Sequence, residues 1–129
     1  MAYVDIVTAL ALVQFLAFGY RVGNARTKYG VKAPAISGND VFERHFRVQS
    51  NTLEQLVVFL PALYLFCRYW NPGAGAGLGV VYLIGREIYA AAYVRNPARR
   101  GLGFALTVLP TMILAAGALV GAVRKLLAH

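Results

Sequence analysis

Residues 101–123 read GLGFALTVLPTMILAAGALVGAV, a stretch with no charged side chain, closed by Arg124 and Lys125. About 20 apolar residues suffice for a helix to cross the hydrocarbon core of a bilayer. The stretch therefore predicts a membrane-spanning helix, with Pro110 as an internal kink of the kind that neighbouring membrane helices tolerate. The rest of the chain follows the same logic. Of its 129 residues, 59% are hydrophobic and only 14% are charged, against roughly 25% charged in a soluble domain. One domain covering residues 1–129 has room for about four spans and short connections.

Three apolar segments precede that span. Residues 3–21 form the first, apolar apart from Asp5, Thr8 and Gln14. It ends in a basic, water-facing region of Arg21, Arg26, Lys28 and Lys32. It lacks the basic start and small-residue cleavage pattern of a signal peptide, so it reads as a span. Pro34 and Ser37-Gly38-Asn39-Asp40 mark a loop. The second segment covers 40–69, with Asp40 as N-cap and Glu43 in the position of a capping-box carboxylate. Asn71-Pro72-Gly73 is a tight turn that opens a third helix over 72–94, and Asn96-Pro97 ends it. The run Gly73, Gly75, Gly77, Gly79 does not match a phosphate-binding loop, because no strand precedes it and the spacing fails. Small residues four apart in a membrane helix instead predict close helix packing. The expected fold is all-α, an integral membrane four-helix bundle.

The net charge is +8. Arg21, Arg26, Lys28, Lys32, Arg44, Arg95, Arg99 and Arg100 fall at one end of such a bundle, and Arg68, Arg124 and Lys125 at the other. That is topological charge and not a nucleic-acid surface. It places the first end, with any site there, on the cytoplasmic side of a multi-pass protein, which is the inner membrane in a bacterium. Both termini then face away from the cytoplasm. Cys67 is the single cysteine, which excludes an internal disulfide, and His45 and His129 are far apart, so no metal site is expected.

Charges within the spans carry the functional signal, since each costs a few kcal/mol to insert and normally faces the bundle interior. Arg47, Asn51 and Glu54, at i, i+4 and i+7, share one helical face. Tyr82, Arg86, Tyr89 and Tyr93 share another, with Arg100 one break later. A purely structural account pairs Arg47 with Glu54 and Arg86 with Glu87, and treats the tyrosines as belt residues. Against it, Arg47, Arg86 and Arg100 outnumber the one clear interior acid, Glu54, and an excess of interior arginine suits an anionic ligand. A ligand with two carboxylates and one ammonium fits this set, and glutathione meets that description. Its weakly acidic thiol becomes a good nucleophile beside a positive charge.

The stretch Phe42–Glu54 contains E-R-x-x-R-x-x-x-N-x-x-E, formed by Glu43, Arg44, Arg47, Asn51 and Glu54. A second block runs from Arg86 through the tyrosine pair to Arg100-Gly-Leu-Gly-Phe104. Together they resemble the family of membrane-associated proteins in eicosanoid and glutathione metabolism, over nearly the whole chain. The resemblance implies a homotrimer with glutathione as co-substrate at subunit interfaces, and no metal. It assigns glutathione contacts to Arg26, Arg47, Gln49, Asn51, Glu54, Arg86, Tyr89 and Tyr93, and thiolate stabilisation to Arg100. Gln55 replaces a tyrosine found in some members, which removes one contact. The activity implied is a membrane-bound glutathione transferase acting on apolar electrophiles, with peroxidase activity on lipid hydroperoxides as a related outcome. The alternatives are a non-catalytic, lipid-binding scaffold of the same fold and a small structural membrane protein.

Overall fold

The computed structural model describes residues 1–128; His129 lies outside the described residues. Among them the chain forms α1 (Ala2–Tyr29), α2 (Asp40–Tyr69), α3 (Pro72–Arg95), a 3₁₀ turn (Pro97–Arg99) and α4 (Gly101–Leu127). At 1.5 Å per residue even α3, with 24 residues, is about 36 Å long, which exceeds the ~30 Å of a bilayer core. By length and composition α1, α2 and α4 are apolar enough to cross a membrane. In α3 the adjacent Arg86 and Glu87 lower the mean hydropathy, and the helix packs against all three others.

Two expected boundaries move. α1 continues eight residues past Arg21, because its basic last turn (Arg26, Lys28) complements the helix dipole. It stops at Gly30, whose φ of 70° and ψ of 30° make the left-handed C-cap that glycine accepts without strain. α4 likewise carries Arg124 and Lys125 within its last turn and runs to Leu127. The start of α2 is also corrected. Asn39 is the N-cap and its Oδ1 accepts from the Phe42 N–H at 3.0 Å, so Asp40 is already helical. Glu43 closes no capping box; its Oε2 accepts from the Gly38 N–H instead. Pro61 and Pro110 both lie inside continuous helices.

The burial pattern is that of a membrane bundle. Val4, Val7, Leu56, Phe59, Leu63, Tyr82 and Leu114, from all four helices, form the main core. Many large apolar side chains nevertheless point outward, among them Leu16, Val57, Ile84 and Leu119. An apolar exterior on this scale requires an apolar surrounding medium. Small residues let the helices close up. Gly75 faces Cys67 of α2, and Gly79 faces Val7 of α1, where any Cβ would collide; Gly73 and Gly77 do not serve this role. At one end Trp70 donates its Nε1–H to the Gly117 carbonyl at 2.7 Å and lies under the Arg124 guanidinium. At the opposite, basic end, α1 and α3 finish while α2 and α4 begin.

Candidate functional site

A cleft of about 530 Å³ opens at the basic end, between the start of α2, the end of α3 and the start of α4. That size is within the range of small-molecule sites. Arg47, Ser50, Asn51 and Glu54 line it from α2, Tyr89 and Tyr93 from α3, and Arg100 from the turn before α4. The helical spacing read from the sequence thus brings six predicted residues to one place. The tyrosine rings stack with centroids 5.5 Å apart. Arg100 is exposed and its Nη1 donates to the Pro97 carbonyl at 2.7 Å, which ties one edge of the guanidinium to the turn. It stands at the amino end of α4, where free N–H groups and the helix dipole add to the positive potential.

Arg86 is placed differently from expectation. It is completely buried behind the cleft and does not line it. Its Nη1 donates to Asn51 Oδ1 and its Nη2 to Thr52 Oγ1, both at 2.9 Å, while the guanidinium lies 4.4 Å from the Tyr89 ring centroid. The Thr52 hydroxyl in turn donates a hydrogen bond to the Val48 carbonyl at 2.7 Å. With its oxygen engaged, the Asn51 amide has its NH₂ group left for a ligand carbonyl or carboxylate. Arg86 therefore orients Asn51 and Tyr89 from behind. The guanidinium Nε has no partner, and among the described residues no carboxylate pairs with Arg86. Tyr82, expected on the same stripe, is a core residue stacked on Phe59 at 3.8 Å. Among the described residues the pairs Arg47–Glu54 and Arg86–Glu87 do not form, and the ion pair is Arg21–Glu87 at 3.7 Å.

Two predicted residues lie away from the cleft. Arg26 donates to the Ala35 carbonyl at 2.6 Å and sits over the Phe42 ring. Gln49 projects from the opposite side of α2 and packs over Gly19 of α1. Four further lining residues lie outside the predicted set: Ile36, Glu43, Phe46 and Ser50. Ser50 was findable, being three residues from Arg47 on the same face. Glu43 reads in the sequence as a capping carboxylate and as the first position of the family motif, neither of which places it in a cleft. The site also depends on a close α3–α4 crossing. A Cβ on Gly103 would run into the Tyr89 backbone, and one on Gly85 would meet Leu106 at 2.7 Å.

An all-helical membrane bundle with a cationic, tyrosine-walled cleft at its basic end is the class that this architecture defines. The sequence comparisons make it specific. The model of the MAPEG family matches residues 4–120. An uncharacterized protein from Synechocystis sp. is 50% identical over 121 residues, 94% of this chain and 88% of the relative. Microsomal glutathione S-transferase 2 of Homo sapiens is 38% identical over 101 residues, 78% and 69% of the two chains. Leukotriene C4 synthase of Rattus norvegicus is 35% identical over 94 residues, 73% and 63%. The chain belongs to the MAPEG family and is an integral membrane protein.

Proposed function

We propose that the protein is a membrane-bound glutathione transferase that conjugates glutathione to apolar electrophiles. The observation carrying this reading is the convergence of Arg47, Asn51, Glu54, Tyr89, Tyr93 and Arg100 on one cleft. The two arginines supply charge for carboxylate and thiolate, Glu54 a counter-ion for the ammonium, and the Asn51 amide a donor held by Arg86. The names of the two glutathione- and leukotriene-linked relatives support the same reading.

The chemistry is thiolate attack. The glutathione thiol loses its proton to water, and Arg100 holds the resulting anion. The sulfur then forms a bond to the electrophilic carbon as the leaving group departs with the bonding pair. Tyr89 or Tyr93 donates a hydrogen bond to that leaving group. A hydroperoxide oxygen in the same position would give peroxidase chemistry instead. The electrophile enters from the lipid: Leu102 and Phe104, beside Arg100 on α4, are exposed and apolar.

Arg26 and Gln49 face away from the cleft of their own chain, which suits a homotrimer in which they complete the cleft of a neighbouring subunit. The basic end faces the cytoplasm by the positive-inside rule.

Steady-state kinetics of Arg100→Ala test the assignment. Turnover falls about 100-fold, the scale of removing one anion-stabilising donor, while the KM for glutathione changes less. Equal losses in both would make Arg100 a binding residue only. The second reading, a lipid-binding scaffold without chemistry, predicts lipid binding and no turnover in the wild type.

A further inference from the structure

A second concavity lies between α1 and α3, and it shares no residue with the cleft. Its polar part, about 370 Å³, is lined by Arg21 of α1, His45 of α2, and Glu87 and Arg95 of α3, against an apolar back that includes Phe18 and Val94. At Glu87 it meets a mainly aliphatic channel formed by Leu10, Leu83, Ile84 and Ile88, with Gln14 and Glu87 as its polar members. The two concavities share Glu87 and follow one another along α1 and α3, cationic at the basic end of the bundle and mostly apolar toward its middle.

The charges at the mouth favour an anion. Glu87 is already engaged, with Arg21 at 3.7 Å and with the Gln14 amide N–H donating to its Oε1 at 3.3 Å. Arg95 keeps its charge free among the described ion pairs. The carbonyl end of α3 would ordinarily repel an anion. Here Arg44 reaches across from α2 and donates to the Val94 and Arg95 carbonyls at 3.1 and 3.3 Å, neutralising that end.

The length of the groove selects among anions. From Arg21 to Leu10 along α1, and from Arg95 to Ile84 along α3, the separation is eleven residues, or about 16 Å. Half of a bilayer's hydrocarbon core is about 15 Å. A phosphate at the mouth therefore leaves one acyl chain lying along the channel within a single leaflet. Basic pockets between membrane helices at the charged end commonly hold anionic head groups. We infer that the α1–α3 groove is a binding site for an anionic phospholipid, with its phosphate among Arg21, Arg95 and His45 and an acyl chain along Leu10, Ile84 and Ile88.

The test uses the full chain, delipidated in detergent, with lipid retention read by native mass spectrometry and stability by thermal unfolding. Phosphatidylglycerol should be retained and raise the melting midpoint, and phosphatidylcholine of the same chains should bind at least about fivefold more weakly. Inorganic phosphate at equal concentration should do nothing. Arg95→Gln should weaken phosphatidylglycerol retention about fivefold. Glu87→Gln should strengthen it, because it frees Arg21 and removes the carboxylate from the mouth; a merely structural ion pair would give no such gain. Ile84→Trp, at an exposed position that tolerates bulk, should block the channel and weaken both lipids. Equal retention of the two lipids, or phosphate binding as tight as the phospholipid, would overturn the inference. Glutathione binding at the separate cleft should be unaffected by Arg95→Gln, so the outcome does not depend on the proposed transferase activity.

Discussion

Arg86 of α3 donates to Asn51 Oδ1 of α2 at 2.9 Å from a position with no solvent exposure. One buried guanidinium thus sets the orientation of a cleft amide it stands behind. The same fork holds Thr52, so one side chain of α3 ties two consecutive residues of α2 beside the cleft.

Lysine cannot reproduce that fork, because its ammonium is a point donor without a planar pair of N–H groups. Arg86→Lys leaves Asn51 or Thr52 without its charged donor, a loss of about 1.5–3 kcal/mol. The melting temperature in detergent should fall and the KM for glutathione should rise roughly tenfold, with a smaller change in turnover. An unchanged KM would show that Asn51 needs no such support.

Gly103 lets α4 approach the backbone of Tyr89. Gly103→Ala forces the two helices apart at a cost of about 1–3 kcal/mol, and should reduce both stability and activity by displacing Tyr89. Gly101→Ala is the control, since a Cβ there meets nothing within 4 Å. Thermal melts of the two variants side by side should separate them clearly.

Arg26 and Gln49 bear on assembly. If a neighbouring subunit completes each cleft, Arg26→Ala and Arg100→Ala oligomers should each be impaired, while co-expression of the two should restore part of the activity through sites that draw one intact residue from each chain. No recovery in verified mixed oligomers would mean that Arg26 acts within its own chain or only in folding.

Much of this architecture is legible in the residues. The uncharged run 101–123 and the turn at Asn71-Pro72-Gly73 place the starts of α3 and α4 to the residue, and the i, i+4, i+7 spacing of Arg47, Asn51 and Glu54 places them on one wall. What is not legible depends on facts that periodicity does not carry. The charges after Arg21 look like the end of a helix, yet they are compatible with its last turns, and only Gly30 stops it. Arg86 has the spacing of a cleft residue, but its depth is decided by Thr52, a residue on a neighbouring face of another helix. Asn39 and Asp40 are both good caps, and the backbone at Asn39, with φ of −155° and ψ of 131°, decides between them. Arg26 and Gln49 share no face with the cleft in one chain, and no spacing rule within that chain predicts where they act.

The central claim is that Arg100 stabilises a thiolate in the α2–α3–α4 cleft, and ultraviolet difference absorbance at the thiolate band tests it most directly. Purified protein in detergent is titrated with glutathione at neutral pH, wild type beside Arg100→Ala. Lowering the thiol pKa by two units corresponds to about 2.7 kcal/mol, enough to make the thiolate the dominant bound form. The account predicts a saturable thiolate signal in the wild type that disappears in the variant. A folded, oligomeric wild type that binds glutathione and gives no signal, or a signal that survives Arg100→Ala undiminished, would contradict it.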